Sequence, residues 1–183
     1  MSSIDALLRA YQNHARLPWS ENLSGPEKVW MAVYEPAQER RLRFRLPEFE
    51  MATKAAGHGW ECVDLTDAFA HWMAAHPYRD TYFEEPDLME SALPEFSDAV
   101  VKDVSEALRR SEADENTVVA LCGLASLFGL MRASALLDRV AGNVRGRLLM
   151  FFPGQRDGNN YRMLDAHDGW TYLAVPITGA DGD

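Results

Sequence analysis

Residues 123–129, Gly-Leu-Ala-Ser-Leu-Phe-Gly, contain the residue types that α/β proteins use for anion binding or nucleophilic chemistry. They follow an apolar run and precede a helical pattern, and such a strand-to-helix turn presents backbone N–H groups. The spacing matches no standard motif, because a phosphate loop needs four residues between its glycines followed by lysine, and a nucleophile elbow needs Gly-x-Ser-x-Gly. We interpret Ser126 first as a helix cap, and retain Gly123, Ser126 and Gly129 as candidate anion-binding residues.

The histidines and acidic residues do not form a metal-binding motif. His71 and His76 are five positions apart, which places them on different faces of a helix. Four carboxylates follow or flank predicted strands, where acidic groups can hold Mg²⁺: Asp64, Asp67, Asp165 and Asp168. Helix capping and turn formation explain Asp67 and Asp168 more simply. We predict no catalytic residue, no metal and no cofactor; a hydrolase with Ser126 as nucleophile and a histidine base is the alternative.

A stretch of aromatic and acidic residues, 78–86, differs in composition from the rest of the chain and predicts an irregular segment. Aromatic side chains are seldom left wholly in water, so they anchor either a core or an interface, and both interpretations stay open here. Trp19, next to Leu17 and Pro18, has the same two interpretations. The candidate partner-binding residues are Trp19, Tyr78, Tyr82 and Phe83.

Length and composition favour a single globular domain, residues 1–183. The apolar fraction of 47% excludes a disordered or low-complexity chain. No export signal and no apolar run of spanning length is visible, so we expect a cytoplasmic protein without a membrane segment. The net charge of −10 disfavours strong direct DNA binding. The dense basic stretch 40–45 is flanked by glutamates, which favours a solvated helix face over a nucleic-acid surface.

Short apolar strands alternate with helical patterns along the chain. Continuous apolar runs beginning near Val29, Trp60, Val118 and Leu148 predict parallel strands covered on both faces. The last of these is expected to end at Pro153-Gly154, and residues 161–164 and 170–175 form a predicted hairpin around Asp168-Gly169. These elements predict a Rossmann-like three-layer α/β fold whose mostly parallel sheet has an antiparallel C-terminal edge.

Two smaller features complete this prediction. Pro47 is expected to open a second helix after the helical stretch that contains residues 40–46. Cys62 and Cys122 lie in apolar runs of different predicted strands, and we expect both to be reduced, buried packing residues.

Four segments of the second half resemble the signature of the BrxB family: GLASLFGLMR at 123–132, ASALL at 133–137, LMFFPG at 149–154 and NYR at 160–162. Members of that family accompany BREX phage-defence operons, beside an ATPase, a DNA methyltransferase and an alkaline-phosphatase-like protein called PglZ. The resemblance implies a role in a multi-protein complex that blocks phage and marks host DNA, with a PglZ-like protein as the expected direct partner. It supplies no catalytic residue.

The function predicted from these observations is a non-enzymatic adaptor in a BREX-type complex. Its acidic composition suits binding to a basic protein face. The alternatives are a degenerate nucleotide- or anion-binding domain that holds phosphate with backbone N–H groups alone, and the Ser126 hydrolase.

Overall fold

The computed structural model describes residues 4–110 and 112–179, and within them the chain forms six α-helices and seven strands. The helices are α1 (Ile4–Ala15), α2 (Glu39–Ala55), α3 (Ala68–Ala75), α4 (Arg79–Glu84), α5 (Leu93–Arg109) and α6 (Ala133–Val140). The strands are β1 (Val29–Tyr34), β2 (Gly59–Asp64), β3 (Thr117–Cys122), β4 (Arg147–Asp157), β5 (Asn160–Met163), β6 (Trp170–Thr171) and β7 (Val175–Ile177). None of the described helices is long and apolar enough to cross a membrane.

Five strands form a parallel sheet in the order β2-β3-β4-β1-β7. In the centre, β1 runs beside β4 with Val29 opposite Leu148, and β7 extends the sheet on the other side of β1. The far end of β4 pairs antiparallel with β5, and β5 pairs with β6. This topology confirms the predicted α/β class, the mostly parallel sheet and the antiparallel C-terminal part.

Each central strand sends alternate side chains to the two faces of the sheet, because strand side chains alternate with a period of two. On β4, Leu149 and Phe151 pack under α1 and α2, while Leu148, Met150 and Phe152 pack under α5 and α6. Helices therefore cover both faces of the sheet, which explains why the sequences of the central strands are continuously apolar.

Helix α2 continues through Pro47, so the prediction that this proline opens a second helix is wrong. A proline inside a helix removes one backbone hydrogen bond and crowds the preceding turn. Burial on both sides of it compensates, since Leu42 and Phe49 are fully buried and Phe49 contacts the rings of Tyr11 and Phe151 at centroid distances of 5.3 and 5.0 Å.

Residues 79–84 form the short helix α4 rather than the predicted irregular segment, and a 3-10 helix, Pro86–Ala92, follows it. His76 supports the start of α4, because its Nδ1 accepts a hydrogen bond from the Tyr78 N–H at 3.1 Å and its carbonyl accepts one from the Arg79 N–H at 3.2 Å. The sequence showed no period in this segment because helices of six and seven residues are too short to give a repeating apolar pattern.

Two strand boundaries also differ from the prediction. Strand β4 continues through Pro153 and ends at Asp157. Its last residues, which extend past the end of β1, pair with β5 instead. In addition, the Pro153 carbonyl accepts a hydrogen bond from the Leu164 N–H at 2.9 Å. The predicted strand 170–175 is divided: β6 covers only Trp170–Thr171, and the parallel edge strand β7 begins at Val175.

The two cysteines lie on neighbouring strands with their Sγ atoms 3.9 Å apart and no disulfide between them. Cys122 is buried as predicted, but Cys62 is exposed, so the prediction of a buried side chain is wrong for this residue. Cys62 belongs to β2, the edge strand of the sheet, where one face is only partly covered.

Candidate functional site

Residues 78–90, which we call the α4 surface, carry three of the eight exposed large hydrophobic side chains of the described chain. Tyr78 is 63% exposed, Phe83 is 68% exposed and Leu88 is 46% exposed. Scattered apolar side chains are normal on a protein surface, but a cluster on one short segment indicates an interaction site.

The α4 surface is fixed to the body of the protein through His76 and Tyr82. His76 is buried, and its ring lies 5.0 Å from the ring of Tyr82 and 4.9 Å from that of Trp72. Because His76 Nδ1 accepts the Tyr78 N–H, the assigned tautomer places the ring proton on Nε2, which lies 3.5 Å from a carboxylate oxygen of Glu95. The exposed aromatics are thus presented by a fixed helix.

Acidic residues alternate with these aromatics along the segment. The only basic residue of the segment, Arg79, lies 3.6 Å from Asp80 and donates a hydrogen bond to the Ala74 carbonyl at 2.7 Å. The exposed acids of the segment are Asp80, Glu84, Glu85, Asp87 and Glu90. An apolar centre with a charged rim is the usual arrangement of a protein interface.

Of the four predicted partner-binding residues, three lie on or beside α4, and the structure assigns them different environments. Tyr78 and Phe83 are exposed, whereas Tyr82 is partly buried against His76. Leu88 was not predicted; it lies in an acidic stretch where a lone leucine carries no sequence signal.

Trp19, the fourth of these residues, lies elsewhere, half-buried between α1 and β1. Its ring stacks on His58 with centroids 3.7 Å apart and crosses Trp30 edge to face at 5.6 Å. It does not share a surface segment with the α4 aromatics.

Gly123 and Ser126 do not line the cavity that Gly129 lines. Gly123 has a φ of +77°, and a Cβ there would lie 2.6 Å from Thr66 N and 2.8 Å from Asp64 Oδ1. Partial burial raises the pKa of Asp64, but hydrogen bonds from Thr66 and the charge of Arg43 outweigh it, so the pKa is lowered and the carboxylate is charged. This negative charge opposes an anion at Gly123.

Ser126 lies in a 3-10 helix, Leu124–Leu127, and is partly buried. Among residues 4–110 and 112–179, no hydrogen bond joins its Oγ to an imidazole; His58 and His76 bond elsewhere. The hydrogen bond by which an adjacent base activates a serine is thus not seen at Ser126 in this part of the chain.

Gly129 lines a cavity of about 660 Å³ between the β3–α6 connection and the β5–β6 connection. This volume falls in the range of small-molecule sites. The charged lining is mixed, with Arg132 and His167 facing the same space as Asp165 and Asp168. Two predicted carboxylates thus meet at one cavity, but the described residues contain no group of three or more potential metal ligands.

The basic stretch 40–45 is largely neutralised within the chain. Arg41 lies 2.5 Å from Asp5, and Arg45 also pairs with Asp5. Arg43 donates two hydrogen bonds of 3.0 Å to the Asp64 carboxylate. Arginines that already hold carboxylates lose those pairs if they turn to phosphates, which weakens the case for a nucleic-acid surface.

These features define a three-layer α/β protein in which residues 78–90 carry three exposed large apolar side chains and five exposed acids. The family model described as BREX protein BrxB matches residues 71–177, more than half of the chain, and the chain belongs to this family. It is therefore a component of a BREX phage-defence system. The match begins in α3 and ends with β7, so it includes the α4 surface. No curated protein and no solved structure matches the chain.

Proposed function

We propose that this chain is a non-enzymatic adaptor of a BREX complex and that its α4 surface binds a PglZ-like partner protein. The observation that carries the proposal is the exposure of Tyr78, at the N-cap of α4, and of Phe83 within α4, a helix held in place by His76 and Tyr82. Rigid aromatic side chains contribute most of the binding energy in many protein interfaces, because they bury a large area with little loss of conformational entropy.

Charge supports a protein partner with a basic face. Residues 78–90 carry five exposed acids beside the aromatics, and the chain as a whole has a net charge of −10. Complementary charge steers two proteins together, whereas the same charge repels a phosphate backbone. Family membership supports a partner from the same defence system.

The test is a pair of titrations at physiological salt, one with the PglZ-like protein of the same operon and one with duplex DNA. We expect the partner protein to bind far more tightly than DNA. The variants Tyr78→Ser and Phe83→Ser should each weaken partner binding by about 1–2 kcal/mol, roughly five- to thirtyfold, as truncated interface aromatics do. Their circular dichroism and unfolding midpoints should stay close to those of the unmodified protein, because both side chains are exposed.

Phe44→Ser is the matched control, since Phe44 is 83% exposed on α2. It removes the same aromatic ring from a different surface and should leave partner binding unchanged. Nanomolar binding to DNA without association with the partner protein would contradict the adaptor proposal. Equal losses for Phe44→Ser and Phe83→Ser would place the interface elsewhere than the α4 surface.

A further inference from the structure

Helix α2 carries an apolar stripe on the side that faces solvent. Phe44 is 83% exposed, the largest exposed fraction among the exposed large hydrophobic side chains of the described residues, and Met51 is 67% exposed. Pro47 and Ala55 are also exposed. The steps of three and four residues between these positions place all four on one side of the helix. We call these four residues the α2 stripe.

The α2 stripe lies opposite the face by which the helix packs on the sheet. The buried residues of α2 are Leu42, Phe49 and Thr53. Met51 follows Phe49 by two residues, a rotation of about 200° around the helix axis, so the two side chains point in nearly opposite directions. A surface helix normally presents polar residues on that side. An exposed phenylalanine and an exposed methionine there indicate a surface for a partner.

Charged residues flank the α2 stripe in the same order on both sides. Arg41 and Glu48 lie on one flank, and Arg43 and Glu50 lie on the other, because residues seven apart share a side of a helix. On each flank the basic residue comes first and the acidic residue two turns later. Arg41 and Glu48 keep 55% and 44% of their side chains exposed, although each has an ion pair within its own chain, so both remain accessible.

We propose that the α2 stripe binds the α2 stripe of a second copy of this chain, with the two helices antiparallel. Phe44 then packs on Pro47 of the second copy. Met51 packs on the alkyl part of the Arg40 side chain of the second copy. A two-fold axis repeats every contact, so the same surface supplies both sides of the interface.

The order of the charges favours a second copy and the antiparallel direction. In this arrangement Arg41 lies beside Glu48 of the second copy, and Arg43 lies on the same flank as Glu50 of the second copy. Opposite charges therefore meet on both flanks. In a parallel pair, Arg40 would instead face Arg40 of the second copy, which is unfavourable. The glutamates and the net charge of −10 disfavour a nucleic acid or an anionic lipid surface on this helix.

The size of α2 fits a weak dimer. A helix of 17 residues is about 25 Å long, and one such helix from each chain buries less than the roughly 1,200 Å² of a stable interface. We therefore expect a dissociation constant of about 10–100 μM. At the sub-micromolar concentrations of a binding titration the protein is then a monomer, so association through α2 does not disturb measurements on the α4 surface.

Sedimentation equilibrium of the full chain, at concentrations that bracket this dissociation constant, tests the interface. Phe44→Ser and Met51→Ser should each weaken self-association at least about tenfold, because a symmetric dimer loses each side chain twice. Phe83→Ser is the matched control: it removes a ring that is 68% exposed on α4 and should leave self-association unchanged. Circular dichroism checks that all three variants are folded. The outcome is independent of partner binding, which Phe83→Ser weakens and Phe44→Ser does not.

Charge reversal tests the antiparallel direction. Arg41→Glu and Glu48→Arg should each weaken self-association about fivefold, because each places like charges beside one another in two symmetric pairs. An equimolar mixture of the two variants should associate within about twofold of the unmodified protein, since the contacts between the two variants again join opposite charges.

The proposal is overturned if the unmodified protein stays monomeric at every concentration, if Phe83→Ser weakens self-association as much as Phe44→Ser does, or if the mixture associates no better than either charge variant alone. A monomeric protein that sediments with phosphatidylglycerol vesicles, and loses this property in Phe44→Ser, would assign the α2 stripe to a lipid surface instead. A monomeric protein that needs Phe44 to bind the PglZ-like protein would assign it to that partner.

Discussion

Gly123 and Gly129 share the same backbone conformation but differ in what surrounds the missing side chain. Their φ values are +77° and +78°. A Cβ on Gly123 would lie 2.6 Å from Thr66 N, whereas nothing lies within 4 Å of a Cβ on Gly129. Substitutions at these two glycines therefore distinguish the cost of backbone strain, which applies at both positions, from the cost of crowding, which applies only at Gly123.

We expect Gly129→Ala to lower the free energy of unfolding by about 1–2 kcal/mol, the cost of a left-handed conformation for alanine. Gly123→Ala should cost at least about 1 kcal/mol more, because the turn at Thr66 must move as well. Urea unfolding followed by circular dichroism measures both values. Equal losses of unfolding free energy in the two variants would mean that the turn at Thr66 moves at no energetic cost.

At the residue scale, sequence predicted the aromatic character of the α4 surface but not which ring faces water. Tyr78, Tyr82 and Phe83 are equivalent in a linear pattern, and only the position of α4 against His76 buries one and exposes two. The burial of Arg147 was missed for a related reason. An arginine before an apolar run suggests a solvated strand end, while its burial depends on Trp19, which is remote in sequence.

Helix α2 contains the most evident conflict between local preference and tertiary structure. Proline at position 47 cannot donate a backbone hydrogen bond, yet the helix spans Glu39–Ala55 without interruption. Packing of Leu42 and Phe49 on the sheet, together with the Tyr11 and Thr53 side-chain hydrogen bond of 2.5 Å, holds both halves on one face. The local cost is offset by contacts that sequence alone does not reveal.

Pro47→Ala should therefore raise the free energy of unfolding by about 1–3 kcal/mol, since alanine restores the hydrogen bond and removes the clash. Met51→Ala is the control, because Met51 is 67% exposed on the same helix and its change should stay within about 0.5 kcal/mol. Both are measured by chemical denaturation. Destabilisation by Pro47→Ala would show that the packing of α2 requires the geometry that proline imposes.

Strands that are buried on both faces could be predicted from the sequence, whereas a very short strand could not. The runs that form β1, β3 and β4 are buried on both faces, so their apolar character is continuous and easily recognised. Strand β7 has only three residues and includes Pro176; it exists because β1 offers it an open edge. The pairing of β7 therefore depends on the open edge of the sheet and not on a strand pattern in its own three residues.

At the scale of the whole molecule, charge is distributed unevenly. The chain has 28 acidic and 18 basic residues, but arginines of the 40–45 stretch are held in ion pairs with Asp5, Asp64 and neighbouring glutamates. The exposed acids of the α4 surface have one arginine among them. The field that an approaching protein meets there is negative.

Association with a basic partner at the α4 surface should accordingly depend on ionic strength. We expect the association rate constant to fall by about tenfold or more between low and high salt, while the dissociation rate constant changes little. Stopped-flow mixing at several salt concentrations measures the first quantity. The double variant Glu84→Gln/Glu85→Gln should show a lower rate and a shallower salt dependence.

The control for this experiment is Glu21→Gln/Glu115→Gln, which makes the same charge change at exposed positions elsewhere. If the association rate constants of the two double variants depend on salt in the same way, the net charge of the protein, and not the local acids, accelerates association with the partner.

The strand order has a consequence for synthesis on the ribosome. Val29 in β1 pairs with Leu148 in β4, and among the strands that the structure describes β7 is the other neighbour of β1. While the chain is being translated, β1 therefore has neither of these strands to pair with until the residues of β4, Arg147–Asp157, have emerged, although helices that cover both of its faces are made earlier. Pairing of β1 is a late event on the ribosome, whereas β2 and β3 are neighbours that can meet earlier. Between the synthesis of β1 and that of β4, the nascent chain must keep an unpaired apolar strand from associating with other chains.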